Sequence, residues 1–122
     1  MRRHTVISSN FGNMPLAGYI TEIMRVVSNF DGWYALEFAK EFLPFAEELD
    51  DAGCGELFII LCSETIDDMY GDLEYKFITS ECGLNVAIDE MGSELFKPGV
   101  CRIFRLFGHD EDFGLEELQV LF

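Results

Sequence analysis

Residues Leu57 to Cys62 (LFIILC) are apolar without interruption, flanked by Gly55 and Ser63. A run this short, with no polar position in it, reads as a fully buried central strand, because a half-exposed strand alternates and a helix needs greater length. The chain must therefore supply enough apolar cover to bury it. Upstream, Leu16, Ile20, Ile23, Val27 and Phe30 recur at intervals of 4, 3, 4 and 3, the spacing of one helical face. A helix is expected over about Met14 to Phe30, with Asn13 as its N-cap and Pro15 in the first turn, where a missing N–H costs nothing. Beyond Asp31-Gly32, Ala35, Phe38, Phe42, Phe45 and Leu49 repeat the pattern and predict a second helix packed on the first, kinked or divided at Pro44.

Downstream the periods shorten. Thr65-Ile66-Asp67-Asp68 has capping-box spacing and predicts a short helix ending at Gly71. Leu73, Tyr75, Phe77 and Thr79 alternate with polar residues, as do Leu84, Val86 and Ile88, so Leu73 to Asp89 reads as a hairpin. Val100 to Phe107, between Pro98-Gly99 and Gly108, predicts another strand, and Leu115 to Phe122 fits either state. The expectation is an α+β fold: two N-terminal amphipathic helices packed on a mostly antiparallel sheet of about four strands. With no repeat or linker and 122 residues, residues 1–122 form a single domain.

The net charge of −15 lies entirely in one part of the chain. Residues 1–46 carry four acids and four bases, whereas residues 47–122 carry nineteen acids against Lys76, Lys97, Arg102 and Arg105. A hydrophobic content of 49% with twelve Phe excludes an acidic disordered tail. Like charges oppose compaction, but the same field steers a basic partner. Nucleic acid and anionic membranes, being polyanions, are excluded as direct partners.

Cys54, Cys62, Cys82 and Cys101 form no C-x-x-C pair and have no histidine at zinc-site spacing, so no metal site is expected. Cys62 and Cys101 sit in apolar runs and read as reduced, buried thiols, which points to the cytoplasm. The basic start at Met1-Arg2-Arg3 lacks the apolar stretch of an export signal, and nothing approaches a membrane span.

The acids cluster at element ends and loops. The partner-binding set expected from them comprises Glu47, Glu48, Asp50 and Asp51, then Asp67, Asp68, Asp72 and Glu74, then Asp110, Glu111, Asp112, Glu116 and Glu117. Asp89, Glu90 and Glu94 form a further group. Each cluster alone is an ordinary solvated exterior; together they depart from the mixed signs of such a surface. Glu47 to Asp51 also fall at a helix C-terminus, where the macrodipole disfavours negative charge by ~0.3 to 1 kcal/mol per group. Phe113, Trp33, Tyr70 and Tyr75 neighbour acids and suit an interface anchor, Phe113 foremost, although Trp33 and Phe113 would serve a core equally.

Catalytic signatures are lacking. No acid pair stands out as general acid and base, and no G-x-S-x-G, H-E-x-x-H or phosphate-binding glycine loop occurs. Asp110-Glu111-Asp112-Phe113-Gly114 opens like a calcium loop, but its glycine is misplaced and Leu121 stands where the bidentate Glu belongs. His4 and His109 read as surface histidines. No catalytic, cofactor-binding or metal residue is assigned, and no cofactor is expected.

In length, in the segments Glu47-Glu48-Leu49-Asp50-Asp51 and Asp110-Glu111-Asp112-Phe113, and in its lack of a catalytic motif, the chain resembles bacterial toxin-immunity proteins of the contact-dependent growth inhibition kind. The resemblance implies a cytoplasmic inhibitor rather than an enzyme, forming a one-to-one complex with a basic toxin domain such as a nuclease. A phage or plasmid nucleic-acid mimic that blocks a restriction or CRISPR effector is the alternative, and a small enzyme or ligand-binding domain the third reading.

Overall fold

The computed structural model describes residues 4–30, 32–63, 73–92, 96 and 101–121. In chain order the elements are β1 (His4–Phe11), α1 (Leu16–Phe30), α2 (Ala35–Ala52), β2 (Gly55–Ser63), β3 (Leu73–Ile78), α3 (Glu81–Met91), β4 (Cys101–His109) and β5 (Asp112–Val120). The strands form one sheet in the order β1-β5-β4-β2-β3, with every pairing antiparallel. The α+β class holds, with five strands in place of about four and a third helix.

The apolar run of β2 is explained by cover on both sides. Leu57, Ile59 and Leu61 face α1 and α2 in a core that includes Tyr19, Ile23, Val27, Phe38, Phe42 and Leu49. Phe58, Ile60 and Cys62 face α3 through Leu84, Ala87 and Ile88, with Ile103 and Leu118 from β4 and β5. Each fully buried large apolar side chain contributes about 1.5 to 3 kcal/mol. The aromatic layer between α2 and β3 adds geometry to area: Phe42 lies parallel to Phe77 at 6.1 Å, and Phe38 meets Tyr75 edge-on at 5.2 Å.

Several sequence expectations are corrected. β1 has no counterpart in the sequence expectation, since Thr5 to Asn10 carry no alternating apolar face; the strand is an exposed sheet edge held by pairing to β5. Asn13 does not cap α1: its side-chain amide donates to Asn10 Oδ1, and Pro15 O accepts the first helical bond from Gly18 N at 3.0 Å. α2 runs unbroken through Pro44. The N–H that Pro44 lacks would serve the Lys40 carbonyl, and both residues lie on the exposed side of the helix, where the loss of one bond costs least.

The expected second strand of the Leu73 to Asp89 hairpin is instead α3. Ser80, extended at φ −144° and ψ 151°, accepts from Gly83 N–H at 3.0 Å through its Oγ and caps the helix. Leu84, Ala87 and Ile88 then point into the core at helical spacing, while Val86 is exposed. The strand expected from Val100 begins at Cys101 and runs on to His109, and the ambiguous tail is β5. The short helix expected over Thr65 to Gly71 lies outside the described residues.

His4 is not a surface histidine. It is 6% exposed, packs edge-on to Phe58, and brings Nε2 to 3.7 Å from Glu81 Oε1. Nor are all the cysteines reduced: Cys62 and Cys101 stand opposite each other on β2 and β4, Cα atoms 4.3 Å apart, joined as a disulfide. Cys54 and Cys82 are exposed thiols. Among the described residues no helix is long and apolar enough to cross a membrane.

Candidate functional site

Two acidic segments far apart in sequence meet at one end of the fold. α2 ends on Gly53, whose left-handed backbone (φ 66°) lets its N–H return to Leu49 O at 3.0 Å. The Gly53 carbonyl then accepts from the backbone N–H of Glu111 at 2.9 Å. The positive φ favours glycine at this position, and a side chain there would also crowd the Glu111 Cγ. This contact sets the β4–β5 turn against the last turn of α2.

The turn is a two-residue hairpin loop closed by the His109–Asp112 pair. Its central residues, Asp110 and Glu111, both have positive φ, 50° and 68°. Such a turn suits the twist of the flanking strands and favours Asn-Gly or Asp-Gly, so Asp110 fits its position, whereas Glu111 stands where glycine is preferred and a left-handed backbone costs roughly 1 to 2 kcal/mol. Asp110, Glu111 and Asp112 are exposed, as are Glu47, Glu48, Asp50 and Asp51. The last turn of α2 carries no base, and His109 lies 3.3 Å from Asp110. The end is therefore a rigid negative surface on a helix terminus and a tight turn.

The other expected residues are placed differently. Glu116 and Glu117 point to opposite faces of the sheet and are engaged there. Arg105 bonds Glu56 at 2.8 Å and Glu116 at 3.1 Å, while lying over the Phe107 ring at 4.4 Å. On the other face Arg102 grips Glu117 with two hydrogen bonds of 3.0 and 2.7 Å. These carboxylates are half-buried and matched to arginines, so they add little to the outward field. Phe113 is 8% exposed within the α1–α2 side of the core and is closed to a partner.

Glu74 is exposed on edge strand β3 opposite Cys62, whereas the acidic end adjoins Gly55, so the two are separated by the length of β2. Asp67, Asp68 and Asp72 lie outside the described residues. Of the aromatics, Trp33 is almost fully exposed between α1 and α2; Tyr70 falls outside the described residues. Tyr75 is half-buried beside α2. Burial, the Glu41 carboxylate that accepts its hydroxyl proton, and the charge of Glu37 push its hydroxyl up to about 12.

Sequence reasoning passed over the flat aromatic pair of Phe11 and Phe107, stacked at 5.5 Å and 9° above Gly114. A side chain at Gly114 would collide with the Phe107 ring, which is the signal a lone glycine within a strand carries. A cleft of about 290 Å³ opens between α1 and β1, lined by Ser8, Asn10, Glu22, Arg25, Arg102 and Glu117. Its Arg102 is already saturated in part by Glu117. Among the described residues no group of three or more His, Cys, Asp or Glu is placed to hold a metal ion. Comparison with protein-family models, curated proteins and solved structures found no match.

Proposed function

We propose that this chain is an acidic inhibitor that binds a basic protein through the end formed by the α2 terminus and the β4–β5 turn, and that it is the immunity partner of a toxin domain, a nuclease being the best fit to the charge. The observation that carries the reading is the Glu111–Gly53 bond, which gathers Glu47, Asp50, Asp51, Asp110, Glu111 and Asp112 onto one end. Two local costs support it. The α2 acids oppose the helix dipole, and Glu111 occupies a left-handed position that glycine would fill at less cost. Carboxylates retained against local stability are accounted for by a basic surface that meets them.

In this reading the protein works in the cytoplasm, as an inhibitor rather than an enzyme, and needs no cofactor. Cytoplasmic thiol reductants then face the Cys62–Cys101 bond, so folding must rest on the two apolar layers around β2. Co-expression with the toxin domain encoded by the neighbouring upstream reading frame tests the proposal. Cells carrying both are expected to survive and cells carrying the toxin alone to die; equal death in both overturns it.

A further inference from the structure

α2 carries two seams. The inward one, Ala35, Phe38, Phe42, Phe45 and Leu49, is packed against the sheet. The outward one begins at Trp33, just before the helix, and continues through Leu36, Lys40, Leu43, Glu47 and Asp50 at intervals of 3, 4, 3, 4 and 3, all exposed. This is the spacing with which one helix packs along another. Its first half is apolar apart from Lys40, with Trp33 91%, Leu36 66% and Leu43 42% exposed; its second half is acidic and merges with the Glu111 end. Tryptophan is among the residues most enriched in binding hot spots, and the two exposed leucines beyond Trp33 extend its apolar surface along the helix.

We infer that this outward seam docks a basic amphipathic helix of the partner, its aliphatic side chains over Trp33, Leu36 and Leu43 and its Lys or Arg residues against Glu47 and Asp50. The inference rests on the proposed inhibitor reading and names the element it recognises. Charge decides the occupant. A second copy packed antiparallel on this seam would set the acids Glu47 and Asp50 against Trp33 and Leu36, and would bring together two chains of charge −15. A basic helix meets both halves at once, along about 25 Å from Trp33 to Asp50. Lys40, already 3.5 Å from Glu37, is the one base in the seam and takes a polar residue opposite.

The test uses the intact protein and two synthetic peptides: a helical one with leucines on one face and lysines on the other, and an oligolysine of equal charge. Trp33 is the only tryptophan of the chain, so its fluorescence reports on the seam directly. The helical peptide is expected to move Trp33 emission to shorter wavelength, and the double variant Leu36→Ser/Leu43→Ser to bind it about tenfold more weakly with an unchanged melting transition. Oligolysine should bind without moving the emission. Should the helical peptide bind with no emission change, or bind the double variant equally well, the seam is wrong and the acidic end still stands. Binding of neither peptide removes the acidic end as well. A dimer in sedimentation that the double variant dissociates would assign the seam to a second copy and overturn the inference.

Discussion

Glu111 donates its backbone N–H to the Gly53 carbonyl across 2.9 Å while itself held at φ 68°, so the contact that unites the acidic segments is made by a residue in an unfavourable conformation. In the proposed reading, partner binding and local stability are opposed at this position. Glu111→Gly should keep the backbone bond, relieve the left-handed strain and stabilise the fold by about 1 kcal/mol. It should also bind the basic partner more slowly. Chemical denaturation and stopped-flow association measure the two effects, and a loss of stability would show that the turn is not strained.

The outward acids and the inward ones should separate in mutagenesis. Reversing Glu47, Asp50, Asp110 and Asp112 to Lys is expected to lower the association rate roughly tenfold at low salt and to flatten its salt dependence, with the melting transition retained. Identical kinetics across ionic strength would contradict electrostatic steering.

Glu117→Ala should act the other way. Arg102 then loses both hydrogen bonds in a partly buried setting, which costs about 1 to 2 kcal/mol of stability. Partner association should stay near its original rate. Phe113→Ala belongs to the same class and is expected to cost about 3 kcal/mol or more, because it opens a cavity in the core.

Reduction tests the Cys62–Cys101 bond, which closes a loop with a sequence separation of 39. Loop-closure entropy gives a cross-link of this span a stabilisation of order 4 kcal/mol, and the reduced protein should melt at lower temperature. Alkylation in denaturant after rapid acid quenching of cells reads the working state: two blocked thiols, Cys54 and Cys82, if the bond persists, and all four cysteines, the buried Cys62 included, if it is reduced.

Tyr75 links stability to alkaline pH. Its hydroxyl, raised from 10.0 to about 12, holds its proton in the folded state where the unfolded chain has released it. The stabilisation is complete below pH 10 and is lost as pH rises from 10 to about 12. Glu41→Gln removes the carboxylate that accepts its proton and should bring the phenolate transition, followed by ultraviolet absorbance, back toward the ordinary tyrosine range.

The 3-and-4 spacing from Leu16 to Phe30 and from Ala35 to Leu49 foretold α1 and α2, because burying one helical face is a local demand written in local order. The run from Leu57 to Cys62 foretold β2 for the same reason. The segment from Leu84 to Ile88 misleads, since its alternation fits a strand as well as a helix, and the Ser80 cap with the burial of Leu84, Ala87 and Ile88 on one helical face tips the balance. β1 left no apolar trace because its hydrogen bonds to β5, rather than burial, hold it in place.

What order along the chain determined is the amphipathic pair, the buried strand and the confinement of all net charge to residues 47–122. Only the folded arrangement decided which carboxylates are spent on Arg102 and Arg105, that Phe113 turns inward, and that the α2 terminus abuts the β4–β5 turn. Periodicity arises between neighbours a few residues apart and is legible from them. Partnership between a charge and its counterpart, or between two chain reversals, depends on the register of strands distant in sequence, and that register exists only once the sheet has assembled.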